Sequence, residues 1–466
     1  MSITIARKFV PDPNNPTAEV VARCIELHQA ELKRLERLNN YYDGNHDIKS
    51  KTYDKDVYKN TVVNEAKKIT DLNVAFATGN AVSYSSTDEI EPLLDVFKEV
   101  DIEGHDVELE KDLSVFGYSN ELHYLKPIGD DETKIMVQKI DPRGSFVVTD
   151  DTLDKEAMFG VRYFETFDLN NKSAGYEVEI YAATTLTFYT VQKLDMKKVT
   201  ELEVKENPYG KVPLIEFRNN EEKQGDFEPV IDLIDAYNTL TTDRLNDKEA
   251  HLQAILVAYG YSIVDAINDT NDAKGEQMAI DVPDPAGRTE FLTNPLDETQ
   301  VEILANRIKE DLHEISNTPN LNDKDFAGNI SGEAMKWKIF GLLNNLGMKQ
   351  RYFIKGIRKR LELLQAIIKV KLAKEVDITN IEIKMTPFIP ANLSEIISNI
   401  SQSQEFIPLQ HSLSWLPDVD DPSQIIEQLR EQKAESIEVN QQILGASTGF
   451  EDEKKESETD DDESED

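Results

Sequence analysis

Cysteine is almost missing from this sequence, with one residue among 466. A single cysteine excludes an intrachain disulfide framework and is typical of a protein that stays in a reducing compartment. Cys24 falls in a helical pattern with Val20, Val21 and Leu27. We therefore expect its thiol to pack against apolar neighbours rather than to act as a catalytic nucleophile.

Long hydrophobic runs are also missing. No uncharged apolar run approaches the roughly 18 residues that a membrane-spanning helix needs, and residues 1–16 lack the apolar core of a secretory signal. We expect neither secretion nor a membrane partner, and we expect the chain to be found in a cytoplasm.

The common motifs of enzymes are lacking as well. The seven histidines are scattered without an HExxH pair or a second cysteine, which argues against a zinc site. The sequence contains neither a Gly-rich Lys-Ser/Thr phosphate loop nor a Gly-x-Ser-x-Gly elbow. We expect no bound cofactor, no metal and no catalytic residue.

Positive charge is scarce, since 51 Lys and Arg face 89 Asp and Glu and give a formal net charge of −38. This balance argues against tight wrapping of nucleic acid, which needs clustered cations, but it does not exclude DNA as a passing substrate. Residues 451–466 hold eleven acids and two lysines, a net charge of −9. We expect this segment to be a disordered acidic tail.

One basic island stands against this background. The segment from Glu333 to Lys374 carries eight Lys and three Arg against two Glu, a net charge of +9, with apolar residues at three- and four-residue spacing. This pattern predicts one long helix that Ser331 caps. Glycines interrupt it and predict a bend or a close neighbour at each position. They are Gly341, Gly347 and Gly356.

The first half of the chain predicts an α+β region. Helical patterns cover residues 17–40, with Thr17 as the expected cap, and 64–77, and a short alternating run covers 82–84. Residues 107–217 begin with a predicted helix near 108–115. Short β-rich runs separated by turn residues follow it and indicate a mainly antiparallel sheet. Asp141 to Gly144 reads as a turn between two strands.

The second half predicts a helical hairpin that carries a small β unit. A helix with an acidic surface runs from Pro229 towards Gly260, short β-like pieces follow, and a partner helix begins at Asp297. Beyond the basic helix, residues 378–388 alternate like a half-buried strand, which we expect to rejoin the earlier sheet. Helical patches at 392–404 and 422–442 predict a separate C-terminal helical part.

One arrangement offers an enzymatic alternative. Asp377, Glu382 and Lys384 have the spacing of metal-dependent nucleases, in which two carboxylates hold Mg²⁺ and a lysine steers the attacking water. The pattern is short and common, and a strand with a charged outer face explains it equally. A generic cytosolic scaffold without catalytic activity is a further alternative.

Several stretches together resemble the portal proteins of tailed bacteriophages, of the type found in siphophages of Gram-positive hosts. They are YYDGNHDI (41–48), the run 60–84 with VVNEAKKITD and FATGNAVSY, IDPRGSFVVTDDT (140–152), NPYGKVPLIEFRNNEEKQGDFEPVIDLIDAYNTLTTDRLNDKEA (207–250) and PNLNDKDFAGNISGEAMKWKIFGLLN (319–344). The last two are long and specific, and the matches span most of residues 17–400.

The resemblance implies a dodecameric ring at a capsid vertex that serves as the channel for double-stranded DNA packaging and ejection. It implies as partners the terminase, the major capsid and scaffolding proteins and the head-completion or adaptor proteins. The protein would be found in the virion, and in the host cytoplasm during assembly. The implied parts are the wing (1–225 and 332–400, the latter holding the long basic helix and return strand), stem helices (226–258 and 297–316), the clip (259–296), the tunnel loop (317–331), the crown (401–450) and the tail (451–466).

In this scheme the tunnel loop faces DNA. Its polar and flexible candidates for transient contact are Asn320, Asn322, Asp323, Lys324, Asp325, Gly328 and Asn329. The acidic stem helix would repel DNA and let it slide. The basic helix is then expected to pair with acidic faces of adjacent subunits.

Overall fold

The computed structural model describes most of the chain, and all structural statements below refer to that part. It comprises residues 3–52, 59–129, 132–252, 255–259, 279–282, 288–292, 298–320, 336–388, 393–403, 406–413, 416 and 425–433. The chain divides into two units, each described by itself. The first holds residues 1–328 and 337–388, and the second holds 329–336 and 389–466.

Four helices form the N-terminal part. They are α1 (Ala18–Tyr42), α2 (Glu65–Thr78), α3 (Glu91–Glu99) and α4 (Ile102–Phe116). The predicted cap is confirmed, because Thr17 Oγ1 accepts the Val20 amide. Asn64 caps α2 in the same way, with its Oδ1 accepting the Lys67 amide. After α1 the chain turns through Gly44, whose φ of 77° suits a residue without a Cβ. Helix α4 starts six residues before the predicted position.

The largest sheet has six strands and, as predicted, is mainly antiparallel. Its strands are β1 (Ile3–Thr4), β5 (Ser145–Thr149), β6 (Ala157–Phe167), β7 (Ser173–Ala182), β8 (Thr185–Val191) and β9 (Val199–Glu206), in the order β1-β5-β6-β7-β8-β9. Only the β1–β5 pair is parallel. Helix α1 covers one face of this sheet, where Val21, Cys24 and Ile25 join its core. Cys24 therefore has the packing role that the sequence predicts.

A second sheet of three strands lies beside the long helix. It orders β10 (Leu214–Arg218), β3 (Tyr118–Pro127) and β4 (Thr133–Ile140) in an antiparallel arrangement. The predicted turn between β4 and β5 is present, with the Gly144 amide donating to the Asp141 carbonyl at 3.1 Å. Together with the helices, the two sheets confirm the α+β fold class.

The long helix α7 (Phe340–Leu372) supplies the centre of the main core. Phe353, Ile357 and Leu361 are fully buried against α3, α4 and the three-stranded sheet. Each such side chain contributes roughly 1.5–3 kcal/mol when it leaves water. The predicted cap at Ser331 and the acid Glu333 lie outside the described residues.

The predicted helical hairpin consists of α5 (Ile231–Leu252) and α6 (Glu298–Ile315), which pack against each other. A 3-10 turn, Glu228–Val230, precedes α5, and two further 3-10 turns cover Arg7–Phe9 and Asp47–Ser50. The prediction that α5 continues towards Gly260 is wrong. Residues Ile255–Tyr259 form strand β11, which pairs with β12 (Ala279–Val282) and β13 (Arg288–Leu292).

The strand after α7 is shorter than predicted and lies elsewhere. Strand β14 (Glu382–Lys384) pairs with β2 (Ser83–Ser85) in a separate two-stranded sheet, so the expectation that it rejoins the earlier sheet is wrong. The alternation itself is present, since Ile381 and Met385 are buried while Glu382 and Lys384 are exposed.

The second unit is helical where it is described. It contains α8 (Leu393–Ser403), α9 (Leu409–Leu413) and a helical stretch over residues 425–433. The first lies within the predicted patch 392–404 and the last within 422–442. The acidic tail lies outside the described residues.

Candidate functional site

The hairpin is stabilised by ion pairs between its two helices. Arg244 on α5 lies 3.0 Å from Glu298 and 2.6 Å from Glu302 on α6, and Lys248 lies 2.6 Å from Glu298. These pairs are partly exposed, and each adds little by itself. As a network, however, they fix the relative register of the two helices.

The surface of the hairpin is acidic beyond these pairs. Helices α5 and α6 together hold ten acids and four cations, which leaves a net charge of −6. Asp232, Asp243, Glu310 and Glu314 are exposed. A surface of this kind repels a polyanion rather than binding it.

An extended strap, which we define as residues 59–63, is held along α5 by buried amide and hydroxyl side chains. Asn246 accepts the Lys59 amide at 3.2 Å, Thr242 accepts the Thr61 amide at 3.0 Å, and Asn238 accepts the Val63 amide at 2.7 Å. Four helical residues rise about 6 Å, and two extended residues rise about 6.6 Å. The two spacings match, so α5 satisfies alternate strap amides as a neighbouring strand would.

The base of the hairpin is tied to α1. Arg34 donates two 2.6 Å hydrogen bonds to the Glu228 carboxylate, and the Tyr41 hydroxyl donates to Asp235 at 2.7 Å. Burial and the Asp235 hydrogen bond both raise the pKa of Tyr41, so the phenol stays protonated. These bonds fix the direction in which α5 leaves the body.

The long helix α7 is anchored by a fully buried arginine. Arg360 donates to Glu121 at 2.6 Å and to Asp106 at 2.6 Å, and its side chain is 0% exposed. His105 and His123 each place Nε2 2.8 Å from the same glutamate. Burial opposes ionisation of Glu121, but Arg360 and the two imidazoles hold its pKa well below the usual value.

A buried lysine forms a second anchor. Lys349 Nζ lies 2.5 Å from Glu110 and 2.9 Å from Asp226. Burial raises the pKa of Glu110 to about 7, in spite of the neighbouring ammonium group. For Lys349, burial alone would lower the pKa, but the two carboxylates outweigh it and the pKa rises above its ordinary value.

These anchors correct one expectation about the basic helix. Lys349 and Arg360 pair with acids of their own chain, and Lys369 does the same with Glu375 at 2.7 Å. For the two buried cations, Lys349 and Arg360, the expectation of pairing with adjacent subunits is wrong, because helix α4 and strand β3 of the same chain already present carboxylates to them. For the exposed Lys369 the expectation stays a prediction.

The glycines of α7 divide into two kinds. A Cβ at Gly356 would collide with the Phe217 ring, and one at Gly341 would lie 2.9 Å from Asn317 Oδ1, so the predicted close neighbour is confirmed at both. At Gly347 a Cβ would meet nothing within 4 Å, so among the described residues no close neighbour accounts for this glycine.

The start of the predicted tunnel loop is fixed to the body. Thr318 is 1% exposed, its carbonyl lies 3.0 Å from His313 Nδ1, and Asn73 donates to its hydroxyl at 3.4 Å. Asn320, the first of the predicted loop residues, is half-buried. The remaining candidates lie outside the described residues and stay predictions. They are Asn322, Asp323, Lys324, Asp325, Gly328 and Asn329.

The three residues of the nuclease alternative lie at the surface of the protein. Asp377 accepts the Thr379 amide at 2.8 Å, and this hydrogen bond lowers the pKa of the carboxyl. Glu382 and Lys384 are exposed on β14. Within the described part of the chain, no three His, Cys, Asp or Glu side chains come together in a way that could hold a metal ion.

Sequence reasoning missed the strap contacts and both anchors. The spacing of Asn238, Thr242 and Asn246 was a usable signal, because small polar residues at every fourth position mark one face of a helix. The anchors gave no such signal, since Arg360 and Glu121 are 239 residues apart.

The described residues thus form an α+β body with an acidic helical hairpin and a long helix held by buried ions. Comparison with known proteins identifies the family. The family model "Phage portal protein, SPP1 Gp6-like" matches residues 21–439, and the chain therefore belongs to this family. It is also similar to the portal protein of Bacillus phage SPP1, with 22% identity over 372 residues that cover 76% of this chain and 71% of that protein.

Family membership settles the class of function. The protein is a structural, non-enzymatic phage component that belongs in the virion capsid. Asp377, Glu382 and Lys384 are accordingly polar residues of a surface strand and its preceding turn. Among the described helices, none combines the length and apolarity needed to cross a membrane.

Proposed function

We propose that twelve copies of this chain form a ring at one capsid vertex, and that the ring is the channel for double-stranded DNA during packaging and ejection. The ring would also be the docking site for the terminase and then for head-completion proteins, within a shell of major capsid and scaffolding proteins. The observation that carries this proposal is the charge and attachment of the hairpin. Its two helices have a net charge of −6, and hydrogen bonds from Arg34 and Tyr41 hold its base against α1.

The parts of the chain take the following roles in this proposal. Helices α5 and α6 are the stem, and the body with α7 is the wing. The clip is the predicted segment 259–296 extended to the start of β11 at Ile255, because β11 pairs with β12 and β13 instead of continuing the stem helix. The loop from residue 317 to 331 is the tunnel loop, and the crown lies in the second unit. The strap supports the stem assignment, because its backbone amides are held by side chains along one face of α5 and so stiffen that helix.

The mechanism that follows is electrostatic. DNA has to slide during packaging, so the channel wall should make few lasting phosphate contacts. Acids on α5 and α6 supply repulsion, and Lys324 in the loop supplies one cation for transient contact. Because Thr318 and Asn317 are packed against the body, the loop would move about a fixed base.

Imaging tests the assembly. Negative-stain microscopy of the purified full-length protein should show rings with a central hole and twelve-fold symmetry. A protein that stays a monodisperse monomer at all concentrations would contradict the proposal.

DNA measurements test the mechanism. Filter binding by isolated rings should give weak affinity for duplex DNA, whereas tight binding with a steep salt dependence would contradict sliding. Deletion of Asp323 to Gly328 should leave ring assembly intact and impair packaging. An equal-length Gly-Ser replacement is the control for loop length, and normal packaging by the deletion variant would remove the loop assignment.

A further inference from the structure

A buried histidine lies where the second hairpin helix ends and the predicted tunnel loop begins. His313, in the last turn of α6, is 8% exposed. The Thr318 amide donates to the His313 carbonyl at 3.1 Å, and the Asn317 amide donates to the Glu314 carbonyl at 3.2 Å. Asn317 itself has a φ of 52°. These features form a Schellman motif, which closes the helix and sets the direction of the chain that leaves it.

The imidazole ring adds a side-chain contact to this turn. His313 Nδ1 lies 3.0 Å from the Thr318 carbonyl oxygen. A carbonyl oxygen can only accept a hydrogen bond, so Nδ1 carries the hydrogen. His313 therefore binds both polar groups of the Thr318 backbone, the amide through its own carbonyl and the carbonyl through its ring.

The other ring nitrogen faces a lysine. Lys68 Nζ, on α2, lies 3.5 Å from His313 Nε2 and 3.3 Å from the Glu65 carboxylate. An ammonium group can only donate, so its contact with Nε2 needs the lone pair of a neutral ring. A protonated ring would instead direct a second N–H at the ammonium group. The two contacts of the ring are thus both favourable in one protonation state only.

The charged surroundings of His313 favour the neutral ring. They are Lys68 and Glu65 on α2 and Lys309 on α6, and Tyr237 on α5 lies near Glu65. Burial lowers the pKa of His313, and the two lysines lower it further against the opposing effect of Glu65. Because the folded-state pKa is below the unfolded value, the contribution of the neutral ring to stability is complete above about pH 6.5 and is lost as pH falls.

We propose that His313 is a positioning residue for the tunnel loop. Its neutral ring, oriented by Lys68, holds Thr318 and so fixes the direction in which the loop leaves α6, and this hold weakens when the ring is protonated. The inference rests on the loop assignment proposed above. It adds the side chains that set the base about which the loop would move.

Hydrogen exchange of the full-length protein measures the hold on Thr318. The amide nitrogen of asparagine is as many bonds from Cα as Nδ1, whereas that of glutamine corresponds to Nε2. His313→Asn should therefore keep the exchange rate of the Thr318 amide within about twofold of the native rate. His313→Gln and His313→Ala should each raise it about tenfold, the effect of one lost hydrogen bond. Equal rates in the Asn and Gln variants would contradict the proposal.

The pH profile gives a readout that a merely structural histidine would not move. The rate at Thr318 in the native protein, divided by the rate in His313→Asn at the same pH, cancels the intrinsic pH dependence of exchange. This ratio should rise severalfold between about pH 8 and pH 5. Lys68→Met keeps the aliphatic part of the side chain but removes its charge, and should flatten the profile. A ratio that stays constant in the native protein would overturn the inference.

Packaging assays link the hold to function and separate this inference from the proposed function. Rings of His313→Ala should form normally but package less DNA, and His313→Asn should restore packaging. His28→Asn is the control, because His28 is a buried histidine that bonds to Tyr163 and Pro142. It should leave exchange at Thr318 unchanged.

The remaining outcomes fall on different claims. Normal packaging by His313→Ala, together with faster exchange at Thr318, would overturn the positioning role and leave the ring intact. Normal packaging by the loop-deletion variant would overturn the loop assignment and, with it, the role of His313. Failure to form rings under any condition would overturn the proposed function itself.

Discussion

Glu110 is a carboxyl group that the fold places out of water, 1% exposed, with Lys349 as its compensating cation. Its pKa is raised to about 7 because burial disfavours the carboxylate more than the ammonium group favours it. A group whose pKa is higher in the folded state than in the unfolded state binds an extra proton on folding. Its contribution to stability is therefore complete at low pH and is lost as pH rises through about 7.

The variant Glu110→Gln tests this linkage. Relative to the variant, the native protein should lose stability between about pH 4.5 and pH 7.5, by an amount on the order of 3 kcal/mol at 1.36 kcal/mol per pKa unit. Urea unfolding at fixed protein concentration over this range measures the difference. Glu103→Gln, on the exposed side of the same helix, is the control and should show no such trend. A difference that grows with pH would contradict the assignment.

At the scale of single residues, the sequence predicts contacts between residues that are close together in the chain. Thr17 caps α1 because its side chain reaches an amide three residues away. The partner of Arg360 could not be predicted in this way, since it depends on how β3 and α7 meet in space. A basic helix was therefore expected to find its acids in another subunit, although its two most buried cations find them in their own chain.

At the scale of elements, the glycines of α7 make a matched pair. Gly356→Ala should destabilise the protein by about 1–3 kcal/mol, because the added methyl group overpacks the contact with Phe217. Gly347→Ala enters open space in the same helix and should stabilise it by up to about 1 kcal/mol. Thermal or urea unfolding of the two variants gives the comparison. Equal effects of both substitutions would show that Phe217 does not approach the helix as closely as described.

The strap along α5 permits a second test at this scale. Asn238→Ala removes the buried acceptor of the Val63 amide and should cost about 1–3 kcal/mol, because that amide is left without its partner. Hydrogen exchange at residue 63 should become faster. Thr241→Ala is the control, since the Thr241 hydroxyl bonds only to the Tyr237 carbonyl of the same helix. Unchanged exchange at Val63 in the Asn238 variant would mean that α5 does not hold the strap.

The two wrong element predictions have a common cause. Residues Ile255–Tyr259 continue an apolar helical pattern with no Gly or Pro before Gly260, and short apolar runs fit a helix and a buried strand equally well. The partner strands β12 and β13 decide the matter. In the same way, the alternation around Ile383 predicts a strand correctly, but alternation does not specify which strand it joins.

At the scale of the whole molecule, the distribution of charge matters more than its total. The basic helix is buried in the body, where carboxylates of the same chain offset part of its charge, whereas the hairpin keeps its acids exposed. On the proposed function, a chain with a net charge of −38 does not need to bind DNA tightly in order to conduct it. Composition alone predicts a basic helix beside an acidic hairpin. The structure adds that Lys349 and Arg360 of the long helix form ion pairs within their own chain.

Charge reversal on the hairpin tests this view of the whole assembly. Asp243→Lys combined with Glu310→Lys replaces exposed acids on α5 and α6 and, on the proposed ring, should increase its affinity for duplex DNA. The slope of log affinity against log salt should steepen by about 0.9 for each new phosphate contact, and packaging should slow as DNA is held. Asp95→Lys with Glu103→Lys, on exposed positions of α3 and α4, adds the same charge to the body and is the control. If both double variants change DNA binding and packaging equally, net charge alone is responsible and the hairpin does not line the path of DNA.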